Sequence, residues 1–356
     1  MDRVRDISVQ LSRGAHHHKA QEVPKKQARE SNPDGMDANI ASEQDVIMAY
    51  RLILGREPEN SAAVQNVVGK EIPFTEMRDT FIRSVEFRQN VIGRIGGMLK
   101  PLDWDANPVE TEVDDDTLAL LYAHVEQVWS NLGSAEPHYS VLTNQKFKSG
   151  RFKQHAAEFF SSGSNSLRVF QKTLERNSIN VSQFQDCFEL GCGVGRVTGK
   201  LAETFPKVIA ADVSAPHLEL ARSALSSSAP NVVEFRKLES LGSLDLLPNF
   251  DVFYSVIVLQ HNPPPVIGIL LKKILSKLRE GGIGYFQVPT YALGYRFDSK
   301  IYLREFIGNT RIEMHVYPQR ELLELIRGQG CRLVEMREDN LVGSRNMISN
   351  SILVMK

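Results

Sequence analysis

The run Cys187-Phe188-Glu189-Leu190-Gly191-Cys192-Gly193-Val194-Gly195-Arg196 decides how the chain is read. A short apolar stretch carrying one acid gives way to glycines at 191, 193 and 195, then to a helix-like segment. This is the pattern of a strand–turn–helix corner that holds a nucleotide-like ligand. Without a Cβ, Gly191 and Gly193 let the backbone come close to such a ligand. Gly195 lets the next helix pack near the strand, and the helix N-terminus offers free N–H groups to an anionic group. Asp212 lies 21 residues after Gly191, at the end of the next apolar run. A carboxylate there can accept from both hydroxyls of a ribose.

Outward from this corner the pattern alternates. Strands are expected at Asp186–Leu190, Val208–Asp212, Val232–Phe235, Asp251–Val258 and Gly284–Val288, and later at Arg332–Arg337 and Ser351–Met355. Helices are expected at Arg196–Thr204, Ala215–Ser226, Pro265–Leu278 and Pro318–Arg327. Such alternation implies a mainly parallel sheet with helices on both faces. Ligands then sit beyond the carboxyl ends of the strands, where the strand order reverses. Gly281-Gly282 reads as the stop of the preceding helix.

Spacing separates the kinds of nucleotide site. A dinucleotide fingerprint needs its third glycine at position 196, but that position is Arg and the third glycine is Gly195. No G-x-x-x-x-G-K-[ST] phosphate loop is present. With Glu189 in front, E-L-G-C-G-V-G resembles motif I of class I S-adenosylmethionine-dependent methyltransferases. Ala210–Ser214 (A-A-D-V-S) resembles their second, acidic motif. Phe250–His261 resembles their fourth-strand motif, and Leu278–Gln287 the turn into their fifth strand. The likeness covers roughly residues 180–356, with four motifs in order. It implies a Rossmann-like methyltransferase fold, with a mainly parallel seven-stranded sheet preceded by a helical N-terminal region, and S-adenosyl-L-methionine as methyl donor. It also implies roles. Gly191, Cys192 and Gly193 would line the methionine end, Asp212 would hold the ribose and Val213 would pack on the adenine, with Glu189 and Gly195 also among the donor-binding residues. Ser255, Val256 and Ile257 would approach the donor from the fourth strand. The third-strand region, Phe235–Glu239, lacks the family's Asp for the adenine amino group; Glu239 or the Leu238 backbone is expected to substitute.

The rest of the chain divides by composition. Residues 1–40 are polar, mixed in charge and poor in large apolar residues, as in a disordered leader. The triplet His16-His17-His18 within it is read as incidental, and no metal site is expected. Residues 41–98 read as a small helical domain, with a hydroxyl–acid helix start at Ser42–Asp45 and further helices at Ser61–Val68 and Thr75–Asn90. Ala49–Asn60 followed by Ser84–Arg88 resembles a small bacterial domain of unknown function, sometimes found beside enzymes that act on glycans. Residues 99–150 read as a linker and a helix over Asp116–Asn131, and 151–356 as the methyltransferase domain. Tyr139–Gly163 reads as a lid or as surface packing. A helix is also expected at Ser166–Arg176.

Bulk numbers exclude several classes. The 356 residues are 42% hydrophobic and 24% charged, with formal net charge −1, so no field draws the chain to nucleic acid or an anionic membrane. No apolar run reaches the roughly 20 residues of a membrane span. Cys187, Cys192 and Cys331 make neither a disulfide framework nor a zinc pattern; a soluble protein of the cytoplasm is expected. Methyl transfer needs a base only for a hydroxyl or protonated amine acceptor, and His261, just past the fourth strand, is the candidate. Gln260, Tyr291, Tyr295 and His315 are candidates for acceptor contact. Asn262-Pro263-Pro264-Pro265 nearly matches the N-P-P-aromatic motif of DNA amino methylases, but Pro265 offers no stacking face, which disfavours nucleic acid. The acceptor expected is a small molecule or a glycan hydroxyl. The alternatives are a binding-only protein of this fold, or an N-methyltransferase for a protein or nucleic-acid amine. The N-terminal helical domain is the expected place for a protein partner.

Overall fold

The computed structural model describes residues 40–87, 107–226, 231–292, 294–306, 308, 311–343 and 347–356. The leader up to residue 39 and the end of the third expected helix lie outside them. The chain divides into two compact units, Met1–Leu99 and Lys100–Lys356.

In the first unit, helix α1 (Glu43–Ala49) opens on the expected capping box. Ser42 Oγ accepts from the Asp45 amide and Asp45 Oδ2 accepts from the Ser42 amide. A π-helical turn, Tyr50–Leu54, continues it and ends at Gly55 with φ +71°. Helices α2 (Ser61–Val68) and α3 (Phe74–Arg83) follow. Val46, Ala49, Leu54, Val64, Met77 and Phe81 form their shared core. Arg56 forks onto the Glu86 carboxylate and covers the Tyr50 ring. That pairing ties the stretch at 49–60 to Glu86.

The second unit begins its regular structure with the 21-residue helix α4 (Asp115–Ala135), capped by Asp114 Oδ1 on the Thr117 amide. Helices α5 (Pro137–Val141), α6 (Phe152–Ser161) and α7 (Gly163–Arg176) lead into the sheet. Then come β1 (Asp186–Leu190), α8 (Thr198–Thr204), β2 (Lys207–Asp212), α9 (Ala215–Leu225), β3 (Val232–Lys237), β4 (Phe250–Ser255), α10 (Pro264–Ser276) and β5 (Leu278–Ala292). The unit ends with α11 (Ser299–Phe306), α12 (Gln319–Gly328), β6 (Arg332–Asp339) and β7 (Met347–Met355).

The seven strands lie in the order β3-β2-β1-β4-β5-β7-β6, with β7 antiparallel between β5 and β6 and the remaining pairs parallel. The order reverses between β1 and β4, which puts the switch point at the Gly191 corner. The central strands are apolar on both faces because helices cover both. One core layer joins Phe188, Phe253 and Phe286 to α10, α12 and Leu121 of α4; the other joins Cys187, Val208 and Tyr254 to Phe170 and Leu201. Helix α4 therefore packs with the sheet. Gly133 allows this crossing, since a Cβ there would stand 2.6 Å from Ser214 Oγ and 2.7 Å from His217 Nδ1.

Three expectations are corrected. The fourth strand stops at Ser255, because Ile257 turns left-handed. The fifth strand is far longer than Gly284–Val288. Helix α10 ends at Ser276, so Gly281-Gly282 lie within β5 and do not stop a helix. There Leu278 pairs with Phe250, and the register shifts before Val252 meets Ile283. The segment after β5 also carries a helix, α11, that its polar composition hid. Among the described residues no helix is long and apolar enough to cross a membrane.

Candidate functional site

The glycine corner is built by backbone geometry. Gly191, Gly193 and Gly195 have φ of +74°, +54° and +82°. A Cβ on Gly191 would lie 2.4 Å from Val258 Cγ2, and one on Gly193 2.8 Å from Val141 Cγ2. The amides of Gly191 and Cys192 both donate to the Ala211 carbonyl, at 2.7 and 3.1 Å, which ties the turn to β2. Asp212 completes the tie: Oδ2 accepts from the Gly193 amide at 2.8 Å and Oδ1 from the Ser214 amide at 2.9 Å. The carboxylate thus caps two turns, and each oxygen keeps acceptor capacity for a ligand.

Glu189 is buried, with its Oε2 accepting from Thr198 Oγ1 at 2.6 Å. Burial pushes its carboxyl up to about 7, against the pull of Thr198 and the Arg196 cation. Arg196 is itself a half-buried cation, and desolvation lowers its pKa. Its Nη1 donates to the Ser162 and Ser166 hydroxyls at 3.3 and 3.4 Å, while Nε has no partner among the described residues.

These groups open onto a cleft of about 990 Å³, its mouth included. Glu189, Gly191, Cys192, Gly193, Asp212, Val213, Leu238, Val256 and Ile257 line it; Gly195 and Ser255 do not. Ser255 is fully buried, with its hydroxyl on the Leu190 carbonyl. Gly195 instead faces α9, where a Cβ would stand 3.1 Å from Leu225 Cδ1. Leu238 lines the cleft, with both of its backbone groups already in hydrogen bonds. Its amide donates to the Asp212 carbonyl and its carbonyl accepts from Tyr122 Oη at 2.7 Å. The Glu239 side chain is 76% exposed and does not line the cleft.

The opposite wall combines a helix that the sequence reading did not place at the site with the start of Tyr139–Gly163, read as a lid or as surface packing. It comes from Tyr122, Val125 and Trp129 on α4 and from Ser140 and Val141 on α5. Ser140 Oγ meets His217 Nε2 at 2.9 Å, and His217 Nδ1 meets Ser214 Oγ at 2.8 Å. The apolar period of α4 was visible; that Trp129 falls beside a corner some sixty residues on was not. Ile257 is a β-branched residue at φ +60°, a conformation that costs about 1–3 kcal/mol and marks functional sites. Its amide is held by Gln287 Oε1 at 2.9 Å.

His261 does not line this cleft. It borders a second, narrow hollow, about 270 Å³ with its open mouth included, together with His124, Trp129, Tyr302, Arg311 and Glu313. Trp129 walls both spaces. His261 Nδ1 donates to the Glu313 carbonyl at 2.7 Å, and Nε2 faces the Gln260 amide nitrogen at 3.1 Å. Burial pulls its pKa down to about 4. Gln260 is held by Gln287, whose Nε2 donates to its Oε1 at 3.0 Å. Tyr295 Oη and His315 Nδ1 are 2.9 Å apart behind the hollow. Tyr291 is the outlier, its hydroxyl buried without a partner among the described residues, on a strand beside Ile348 of β7. Asn262 lines the donor cleft, its side-chain amide donating to the Val258 carbonyl at 2.9 Å.

Residues 188–282, from β1 into β5, match the model of a family described as a methyltransferase domain. No curated protein matches the chain. Similar solved structures include magnesium protoporphyrin IX methyltransferase from Synechocystis PCC 6803 with bound SAH (13% identity, 65% of this chain and 99% of that one, TM-score 0.44). They also include an S-adenosylmethionine-dependent methyltransferase from Clostridium acetobutylicum ATCC 824 (14% identity, 52% and 88%, TM-score 0.40). A third is an N-methyltransferase from Bradyrhizobium japonicum WM9 with S-adenosyl-L-homocysteine (14% identity, 65% and 98%, TM-score 0.41).

Proposed function

We propose that this S-adenosylmethionine-dependent methyltransferase passes its methyl group to a small molecule or a single glycan unit, at a hydroxyl. The observation that carries the acceptor reading is the second hollow. It is small, lies across Trp129 from the donor cleft, and is lined by aromatic and polar side chains. So narrow a space favours a small acceptor group that reaches in, rather than a macromolecular surface.

The cleft fits the donor. Its floor is a glycine turn that a Cβ would fill, its rim carries the Asp212 carboxylate, and its walls at Val213 and Leu238 are apolar. Asp212 takes the ribose hydroxyls; Val213 and Leu238 pack on the base. Arg196, a half-buried cation whose Nε has no partner among the described residues, supplies charge for the donor's carboxylate. Val256 and Ile257 close the turn side. Bound there, the donor supplies a sulfonium methyl already activated by charge, so alignment alone is worth up to about 7–11 kcal/mol.

Asp212→Ala is expected to weaken donor binding by about 1–3 kcal/mol, because a hydrogen-bonding site and two amides lose their acceptor. Asp212→Asn, which keeps one carbonyl acceptor, should lose less. Calorimetry with S-adenosyl-L-homocysteine reads both; equal affinity in native and Ala chains would remove the ribose role. The acceptor is sought by mass spectrometry of a cell extract incubated with the chain and isotopically labelled donor. Label appearing on protein or nucleic acid, and not on small molecules or sugars, would defeat the acceptor reading.

A further inference from the structure

We propose that Gln287 is a positioning residue for the methyl donor: it holds Ile257 in a left-handed turn and so sets Val258 against the glycine corner. This rests on the methyltransferase reading above and deepens it at the donor site.

Gln287 is fully buried on β5. Its Oε1 accepts from the Ile257 amide at 2.9 Å. Its Nε2 donates to Gln260 Oε1 at 3.0 Å and to Ser349 Oγ of β7 at 2.7 Å. A backbone N–H can only donate, so the atom that faces it must be the oxygen, and both amide protons of Gln287 then find acceptors on the other side. Gln260 is in turn braced, since its carbonyl accepts from the His315 amide at 2.7 Å. The side chain that grips Ile257 is thus itself fixed from two directions.

Ile257 needs that grip. Among the described residues, Glu71, Ser178 and Ile257 are the non-glycine positions with positive φ, and Ile257 is the β-branched one, at +60°. A β-branched residue is an outlier there, and such a conformation persists only where its surroundings over-determine it. The turn shapes the donor cleft directly. β4 stops at Ser255, and Val256, Ile257 and Val258 all line the cleft. The Val258 methyls fill the space that Gly191 leaves open, 2.4 and 2.5 Å from where a Cβ would stand. If Ile257 returned to negative φ, the following residue would swing with it, and Val258 would leave the corner.

A buried amide can also serve the core alone, and the same two strands supply the comparison. Asn350 Nδ2 donates to Thr290 Oγ1 at 2.7 Å, a buried pair between β5 and β7 that does not line the cleft.

The test measures S-adenosyl-L-homocysteine affinity by calorimetry and stability by urea unfolding. The chains are the native one, Gln287→Met, Ile257→Gly, the double variant and Thr290→Val. Gln287→Met keeps the length but leaves the Ile257 amide without its acceptor, so donor affinity should fall about tenfold or more. Glycine takes the left-handed turn freely, so with Ile257→Gly in place the same change should cost less than about threefold. Thr290→Val should lose stability and keep native donor affinity. Should Gln287→Met fail to fold, Ser349→Ala replaces it. That change leaves the Ile257 bond but frees one side of Gln287, and affinity should fall about two- to fivefold with isoleucine at 257 and stay level with glycine there. Native affinity in Gln287→Met, or in Ser349→Ala where that variant stands in, overturns the proposal. So does an equal loss with isoleucine and with glycine at 257, or a loss in Thr290→Val as large as in Gln287→Met; either result would make Gln287 a core residue alone. Absence of donor binding by the native chain would instead sink the methyltransferase reading itself, and this role with it.

Discussion

Gly191→Val is expected to abolish donor binding and to destabilise the fold by about 2–5 kcal/mol. Two costs add. A left-handed backbone is penalised by about 1–2 kcal/mol for a residue with a Cβ, and φ here is +74°. Overpacking adds about 1–3 kcal/mol, since the new Cβ would stand 2.4 and 2.5 Å from the two methyls of Val258. Val258 cannot retreat freely, because its carbonyl takes the Asn262 side chain and the amide of His261. Gly281→Ala is the control. Its φ is +77°, yet nothing lies within 4 Å of the position a Cβ would take. It should lose only the backbone part and keep donor affinity. Pairing Gly191→Ala with Val258→Ala should remove the two methyl clashes, leaving a tight 3.0 Å contact to the residue 258 Cβ, and should not relieve the strain. Denaturant unfolding and calorimetry separate the two quantities; a Gly191→Val chain that binds S-adenosyl-L-homocysteine normally would show that the turn does not touch the donor.

The same position shows what the sequence could say. Glycine spacing and Asp212 marked the corner because each answers a local demand: a positive φ, or a close approach, or an acceptor at a strand end. The sheet was legible for a similar reason, since strands buried on both faces read as apolar runs. What escaped depends on contacts between distant segments. Helix α4 announces an apolar face, but only tertiary packing places Trp129 between the donor cleft and the second hollow. Leu238 was named as a backbone substitute for a missing acid; that its carbonyl also takes the Tyr122 hydroxyl, 116 residues away, no local pattern shows. His261 attracted attention as a histidine after the fourth strand. Its ring nitrogens are committed to Glu313 and Gln260, and no local pattern could bring the Glu313 segment to it. Glu313 drew no notice, because an isolated acid in a polar stretch looks like any solvated carboxylate.

Glu189→Gln should remove a slope from the pH dependence of stability. The carboxyl ordinarily titrates near 4.5 and is raised by burial to about 7 in the fold. At about 1.4 kcal/mol per pKa unit, the difference is worth roughly 3 kcal/mol. The sign follows from which form the fold prefers. A pKa raised on folding means the native state binds the proton more tightly than the unfolded chain. That stability is fully present below about pH 4.5 and is lost as pH rises through about 7. The amide of the E189Q variant would keep the Thr198 hydrogen bond and carry no titrating proton. Several buried histidines oppose the trend: His138, His217 and His261 have lowered values, so their contribution grows as pH rises. The quantity to measure is therefore the difference between native and E189Q unfolding free energies at about pH 5 to 8 by urea titration. Native stability should fall relative to E189Q by roughly 3 kcal/mol across that window. Parallel curves would mean that Arg196, a half-buried cation, holds Glu189 ionised throughout, and would make the two a true ion pair at the back of the donor cleft.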